Sequence, residues 1–98
     1  MNKDSKVDKD NRFEMVKRLI ESNGITEFQE IFITIPKTVF AHELSKNTGR
    51  MGDLIENAEK LNAKEMLRIG KLLDVNTHAI LDLVLTQYHR KENDSTNK

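Results

Sequence analysis

Three histidines, His42, His78 and His89, are the only imidazoles in the chain, and none pairs with another at the four-residue spacing of a helical zinc site. There is no cysteine, so neither a thiolate metal site nor a disulfide framework can form. No glycine-rich phosphate loop follows a strand, and no candidate nucleophile has an evident base. An enzyme, a metal centre and a bound cofactor are therefore not expected. The chemistry that remains is hydrogen bonding and charge. Between residues 37 and 64 it is carried by Lys37, Lys46, Asn47, Thr48, Gly49, Arg50, Asp53, Lys60 and Lys64.

The charge balance gives those residues little help. Sixteen Lys and Arg stand against sixteen Asp and Glu in 98 residues, for a net charge of zero. Over residues 1–11, 12–35, 36–61, 62–89 and 90–98 no segment departs from neutrality by more than one charge. Neutrality removes any global electrostatic reason to expect nucleic acid, so such a partner must be argued from local arrangement. The length suits one domain, because two cores could not each bury enough surface. No apolar run approaches the ~20 residues of a membrane span, and no charged-then-apolar leader opens the chain. A cytoplasmic protein is the expectation, consistent with the lack of cysteine.

Helices must position the polar residues. The two ends, residues 1–11 and 90–98, are nearly devoid of apolar side chains and are expected to be disordered. Within 12–89, Phe13, Val16, Leu19 and Ile20 form a stripe over a helix at 12–22, with Glu14 and Arg18 paired on its outer side. Asn23-Gly24 is expected to stop it, the glycine accepting a left-handed conformation. Thr26 and Gln29 suggest a capping box ahead of Phe28, Ile31, Phe32 and Ile35. That helical spacing competes with the strand propensity of residues 31–35, and helix is preferred because no second strand is available for pairing. Pro36 then opens a helix at 37–45. A short turn leads to another at 47–57, with Met51, Leu54 and Ile55 inward. Asn62 and Glu65 signal the start of the next, striped by Met66, Leu67, Ile69, Leu72 and Leu73. A last helix at 77–88 carries Ile80, Leu81, Leu83, Val84, Leu85 and Tyr88. Met15, Met51 and Met66 are expected as core filler. The expected fold is all-α, a bundle of five or six helices.

Helices 37–45 and 47–57 are separated by too little chain to lie antiparallel, so they must meet at a steep angle. Ala41 supplies the small residue such a corner needs, and Leu44, Met51 and Leu54 complete its inward set. Here the chain resembles the repressor-like helix-turn-helix family, the Xre or lambda-repressor-like class. Phe40-Ala41-His42-Glu43-Leu44-Ser45 is similar to the family's Leu-Ala-x-x-Leu-Gly. The run from Ala63 to Val75 is similar to its Leu-x-x-Leu-Leu-x-Ile-Ala-x-x-Leu-Gly-Val. The resemblance covers residues 36–85. Ser45 stands at the family's turn glycine, Lys46 where an apolar residue is usual, and Pro36 where a capping Ser or Thr is common. Gly49 and Gly52 fall inside the second helix, and residues 26–35 look inserted.

The resemblance implies a lambda-repressor-like DNA-binding domain, a transcriptional regulator whose helix 47–57 enters the major groove of double-stranded DNA. On that pattern Asn47, Thr48 and Arg50 would contact bases, Gly49 would allow close backbone approach, and Lys37, Lys46, Lys60 and Lys64 would meet phosphates. Asp53 and Glu56 would oppose phosphate unless paired. So few phosphate contacts imply weak binding by one copy, hence a homodimer. The last helix is apolar over more than one stripe, so Leu81, Val84, Leu85 and Tyr88 are candidates for the dimer contact. Equally, that helix could be enclosed by its own chain. The alternative function is a protein-interaction module, antitoxin-like or an adaptor, that keeps the fold without binding DNA.

Overall fold

Periodicity of apolar side chains at three and four residues governs the observed elements. The computed structural model of the protein describes residues 11–96. These form α1 (Asn11–Glu21), a 3-10 turn (Phe28–Glu30) running into α2 (Ile31–Thr34), α3 (Lys37–Glu43), α4 (Thr48–Glu56), a second 3-10 turn (Ala58–Lys60), α5 (Ala63–Leu73) and α6 (Thr77–Thr96). There is no strand among the described residues, so the segment that could have been either is helical. Of the tail expected at residues 1–11, Asn11 instead opens α1, and residues 1–10 lie outside the described residues, as do residues 97–98.

In α1, Val16 and Ile20 are buried, and Glu14 accepts from Arg18 at 3.1 Å. Its end differs from expectation. Asn23, not Gly24, takes the left-handed conformation, at φ 66°. Gly24 serves close approach: its N–H donates to the Leu19 carbonyl at 2.7 Å, and a Cβ there would sit 2.9 Å from Leu19 Cδ2. Nor does Thr26 form its expected box with Gln29. Glu30 instead accepts from the N–H groups of Thr26 and Glu27 at 2.8 and 3.2 Å, while Gln29 donates to Glu27. Phe28, Ile31 and Ile35 then face the core, and Phe32 meets Phe28 and Phe40 edge-on at 5.4 and 4.9 Å.

The turn after α3 closes on itself. Lys46 N–H donates to Ala41 O at 2.9 Å and Ser45 N–H to His42 O at 3.1 Å, with Ser45 at φ 57° between them. This is a Schellman ending in which serine occupies the position that suits glycine. Ser45→Gly is accordingly expected to raise stability by roughly 1 kcal/mol, because the left-handed backbone penalises a Cβ. A rise of several degrees in Tm would confirm it, and an unchanged or lowered Tm would refute it. α5 begins at the expected start signal, which forms a reciprocal box: Asn62 Oδ1 accepts from Glu65 N–H at 2.8 Å, and Glu65 Oε1 from Asn62 N–H at 2.9 Å.

The core gathers Val16, Phe28, Ile31, Ile35, Phe40, Met51, Leu54, Ile69 and Ile80, each essentially without exposure. Two apolar residues expected inside are at the surface, and one expected at a dimer contact is in the core. Met15 is 52% exposed and is not core filler, and Leu67 at 45% lies outside the buried face of α5. Val84 is 3% exposed within its own chain and cannot serve a dimer contact. The expected tail at residues 90–98 is also corrected: α6 continues through Thr96, held by Arg90–Asp94 pairing at 3.0 Å and by contacts to distant segments. No helix among the described residues is long and apolar enough to cross a membrane.

Candidate functional site

The corner between α3 and α4 is built from small and apolar residues turned inward. Ala41, Leu44, Met51 and Leu54 are all buried, which leaves the opposite side of α4's first turn to solvent. Asn47, Thr48, Gly49 and Arg50 are exposed there together. Asn47 is not wholly available, since its Oδ1 caps α4 by accepting from Arg50 N–H at 2.7 Å. A two-point contact from Asn47 to a base would have to give up that cap.

The cations around this turn are largely matched by carboxylates. Lys46 lies 2.8 Å from Glu65, and Arg50 Nη2 is 3.7 Å from the same oxygen. Glu65 is 8% exposed. The Lys46 hydrogen bond holds its carboxyl below the ordinary range, burial opposes this, and the Asn62 N–H adds to the lowering. Asp53 is paired with Lys60 at 3.2 Å and accepts from Asn57 Nδ2 at 3.1 Å, and both partners, Lys60 first, lower its carboxyl's pKa. Asp53 therefore does not project an uncompensated charge from α4. Glu56 is exposed.

Lys37 reaches across α4 from the start of α3. A Cβ on Gly52 would lie 3.3 Å from Lys37 Nζ, so the missing side chain is what lets the ammonium rest there. Lys37, Gly49, Gly52, Asp53, Ile55 and Glu56 line an open groove of about 300 Å³. Lys64 is exposed on the first turn of α5. Of the nine residues expected at this site, the structure brings Lys46 to Arg50 through Glu65, Asp53 to Lys60, and Lys37 to the two glycines.

The other end of α4 is held by α6, which sequence reasoning missed. Gln87, 1% exposed, donates to Ile55 O at 2.9 Å and to Glu56 O at 3.4 Å, and accepts from Gln29 N–H at 2.7 Å. Lys91 Nζ donates to Glu56 O at 2.6 Å and Asn57 Oδ1 at 3.0 Å. These bonds satisfy carbonyls that a helix end leaves without intrahelical partners. Arg90 donates to Glu27 at 2.7 Å, the main reason that carboxyl titrates below its usual range. An isolated glutamine in an apolar stripe, with two cations following, was the available signal.

Of the residues expected at a dimer contact, Leu81 is half-buried, Leu85 and Tyr88 are exposed, and Val84 belongs to the core. His42, His78 and His89 are all exposed. Comparison with models of protein families, with curated proteins and with solved structures finds no match to this chain.

Proposed function

We propose that the chain is a repressor-like helix-turn-helix protein, Xre-like in plan, that regulates transcription by laying α4 in the major groove of double-stranded DNA. The observation that carries this reading is the α3–α4 corner. Its glycine-type turn at Ser45 and buried Ala41, Leu44, Met51 and Leu54 leave Thr48, Gly49 and Arg50 outward beside Lys37. Arg50 and Thr48 contact base edges or phosphate, Gly49 permits close approach of backbone, and Lys37 and Lys64 neutralise phosphates. Lys46 and Lys60 contribute only on exchanging their carboxylate partners for phosphate. The protein acts in the cytoplasm, has no catalytic role and binds its operator as a pair of copies.

The test is a salt titration of duplex binding by wild type and Arg50→Glu. With two to four phosphates met per copy, log K is expected to fall against log salt with a slope of about −2 to −4 per copy. The charge reversal should cost at least about tenfold at low salt, since it removes one contact and adds a repulsion. No binding to mixed-sequence duplex at low salt would sink the reading. One observation favours a protein-interaction module in that event: Glu65 and Asp53 already engage three of the five basic side chains around α4.

A further inference from the structure

Lys17, Arg18, Lys46, Arg50, Lys60 and Arg90 are each held by a carboxylate at 2.7–3.7 Å. Lys64, Arg68 and Lys71 are exposed, and none of them has such a partner among the described residues. They recur four and then three residues apart. At about 100° and 1.5 Å per residue they form one line along the outer face of α5, about 10 Å long. Around α5, Leu67 separates this row from Ala63 and Met66. Ala63 and Met66, with Thr77, His78 and Leu81, line an open groove of about 250 Å³ between α5 and α6. Leu67, Leu85 and Tyr88 flank it and are 45%, 41% and 36% exposed. Beyond Leu85 around α6 stand His78, His89 and Asp82, which make no second row of one sign. One turn past Tyr88, whose O–H donates to it, lies Glu92.

We propose that this face docks an amphipathic helix of another protein, one whose apolar stripe is bordered on one flank by Asp and Glu. A row of cations alone suits any polyanion. Leu67 and the groove beside it call for an apolar partner as well. A furrow between two packed helices is a seat that a third helix fills with side chains at i, i+3, i+4 and i+7. Carboxylates at the same spacing along that helix then meet Lys64, Arg68 and Lys71 in turn. The apolar contact supplies affinity, and the charges select an acidic partner over a basic one. The groove is concave and Glu92 stands beside it, which disfavours a flat anionic membrane surface. A second copy meeting this face through its own brings no acidic row to the three cations. No residue of α4 takes part, so the docking stands independently of the DNA reading and forms with no nucleic acid present.

Fluorescence anisotropy of two labelled, designed peptides against the full chain tests it. One is an amphipathic helix of about 18 residues with a leucine stripe and Glu along one flank. The other is identical but carries Lys in place of Glu. The acidic peptide is expected to bind wild type with a micromolar Kd, at least about tenfold more tightly than the basic one. Arg68→Glu with Lys71→Glu is expected to reverse that preference, and Leu67→Ser to weaken both peptides. All three side chains are exposed, so helical content by circular dichroism should be unchanged. No binding of the acidic peptide at high micromolar concentration, equal affinity for the two peptides, or an unchanged preference in the charge variant would each overturn the proposal. Binding to phosphatidylglycerol vesicles in preference to the peptide would assign the face to a lipid surface instead. Sedimentation at twice 11.3 kDa that Leu67→Ser abolishes would assign it to a second copy, and either result overturns the proposal too.

Discussion

Replacing Gln87 with leucine is expected to lower the unfolding free energy by about 2–4 kcal/mol. The two side chains are similar in bulk, so the loss comes from hydrogen bonding. Gln87 is fully enclosed, and its amide joins Gln29 N–H on one side to the carbonyls of Ile55 and Glu56 on the other. Leucine leaves an N–H and a carbonyl buried without partners, and each such group costs about 1–3 kcal/mol. A small gain from burying extra apolar surface offsets part of this. Urea unfolding followed by circular dichroism measures the change. A difference under about 0.5 kcal/mol, the scale of an ordinary surface substitution, would show that water takes over the bonds.

Glu65→Ala is expected to cost about 2–3 kcal/mol. Roughly 1 kcal/mol is the lost reciprocal cap with Asn62, and about 1.5 kcal/mol or more is the charge-assisted bond from Lys46. The pH dependence follows from the same contacts. Both Glu65 and Glu27 have carboxyl pKa values lowered by folding, chiefly through Lys46 and Arg90 respectively. Groups of this kind stabilise fully above the unfolded carboxylate pKa of about 4.3 and lose that contribution as pH falls through the lower native value. Wild type should therefore weaken steadily below about pH 4.3, and Glu65→Gln should weaken less over the same range. Denaturation at pH 7 and pH 3 compares the two slopes, and equal slopes would refute the assignment. If α4 reads DNA, the same glutamine variant binds duplex more tightly, because Lys46 and Arg50 are released to phosphate. Stability and affinity then move in opposite directions.

What local pattern controls was legible in advance. The stripes of α1, α4, α5 and the first part of α6 are set by neighbours within four residues, and so is the Asn62–Glu65 box. The resemblance of residues 40–45 to Leu-Ala-x-x-Leu-Gly places Ser45 at a glycine-type turn, and its φ of 57° agrees with that position. Competition between near-equal local partners was not resolvable. Glu30 displaced Gln29 as the residue reaching back, and Asn23 displaced Gly24 in the left-handed position. The candidate site was half visible. Its exposed polar residues follow from helix register, but their electrostatic partners do not. Glu65 is nineteen positions from Lys46, and Lys91 is thirty-five from Glu56, so only the packed chain brings them together. The same holds for α6 beyond His89, where polar composition suggested a tail. Contacts from Arg90 and Lys91 to Glu27 and Glu56 stabilise the helix instead.

The grip of Gln87 on Gln29 and Ile55 also dictates an order of events during folding. Those contacts span 58 and 32 positions, so the loop between them must close before any bond is gained. Helices α1 to α5 can flicker into existence early from their own propensities. Until the chain around Gln87 has been synthesised, however, the last carbonyls of α4 and the N–H of Gln29 remain with water, and the turn that carries Phe28 lacks α6 against it. α6 is thus the keystone laid last, and the rate-limiting step should be its docking rather than the formation of any helix. Substitutions at Gln87 should then slow refolding in proportion to how much of the docked interface the transition state already contains.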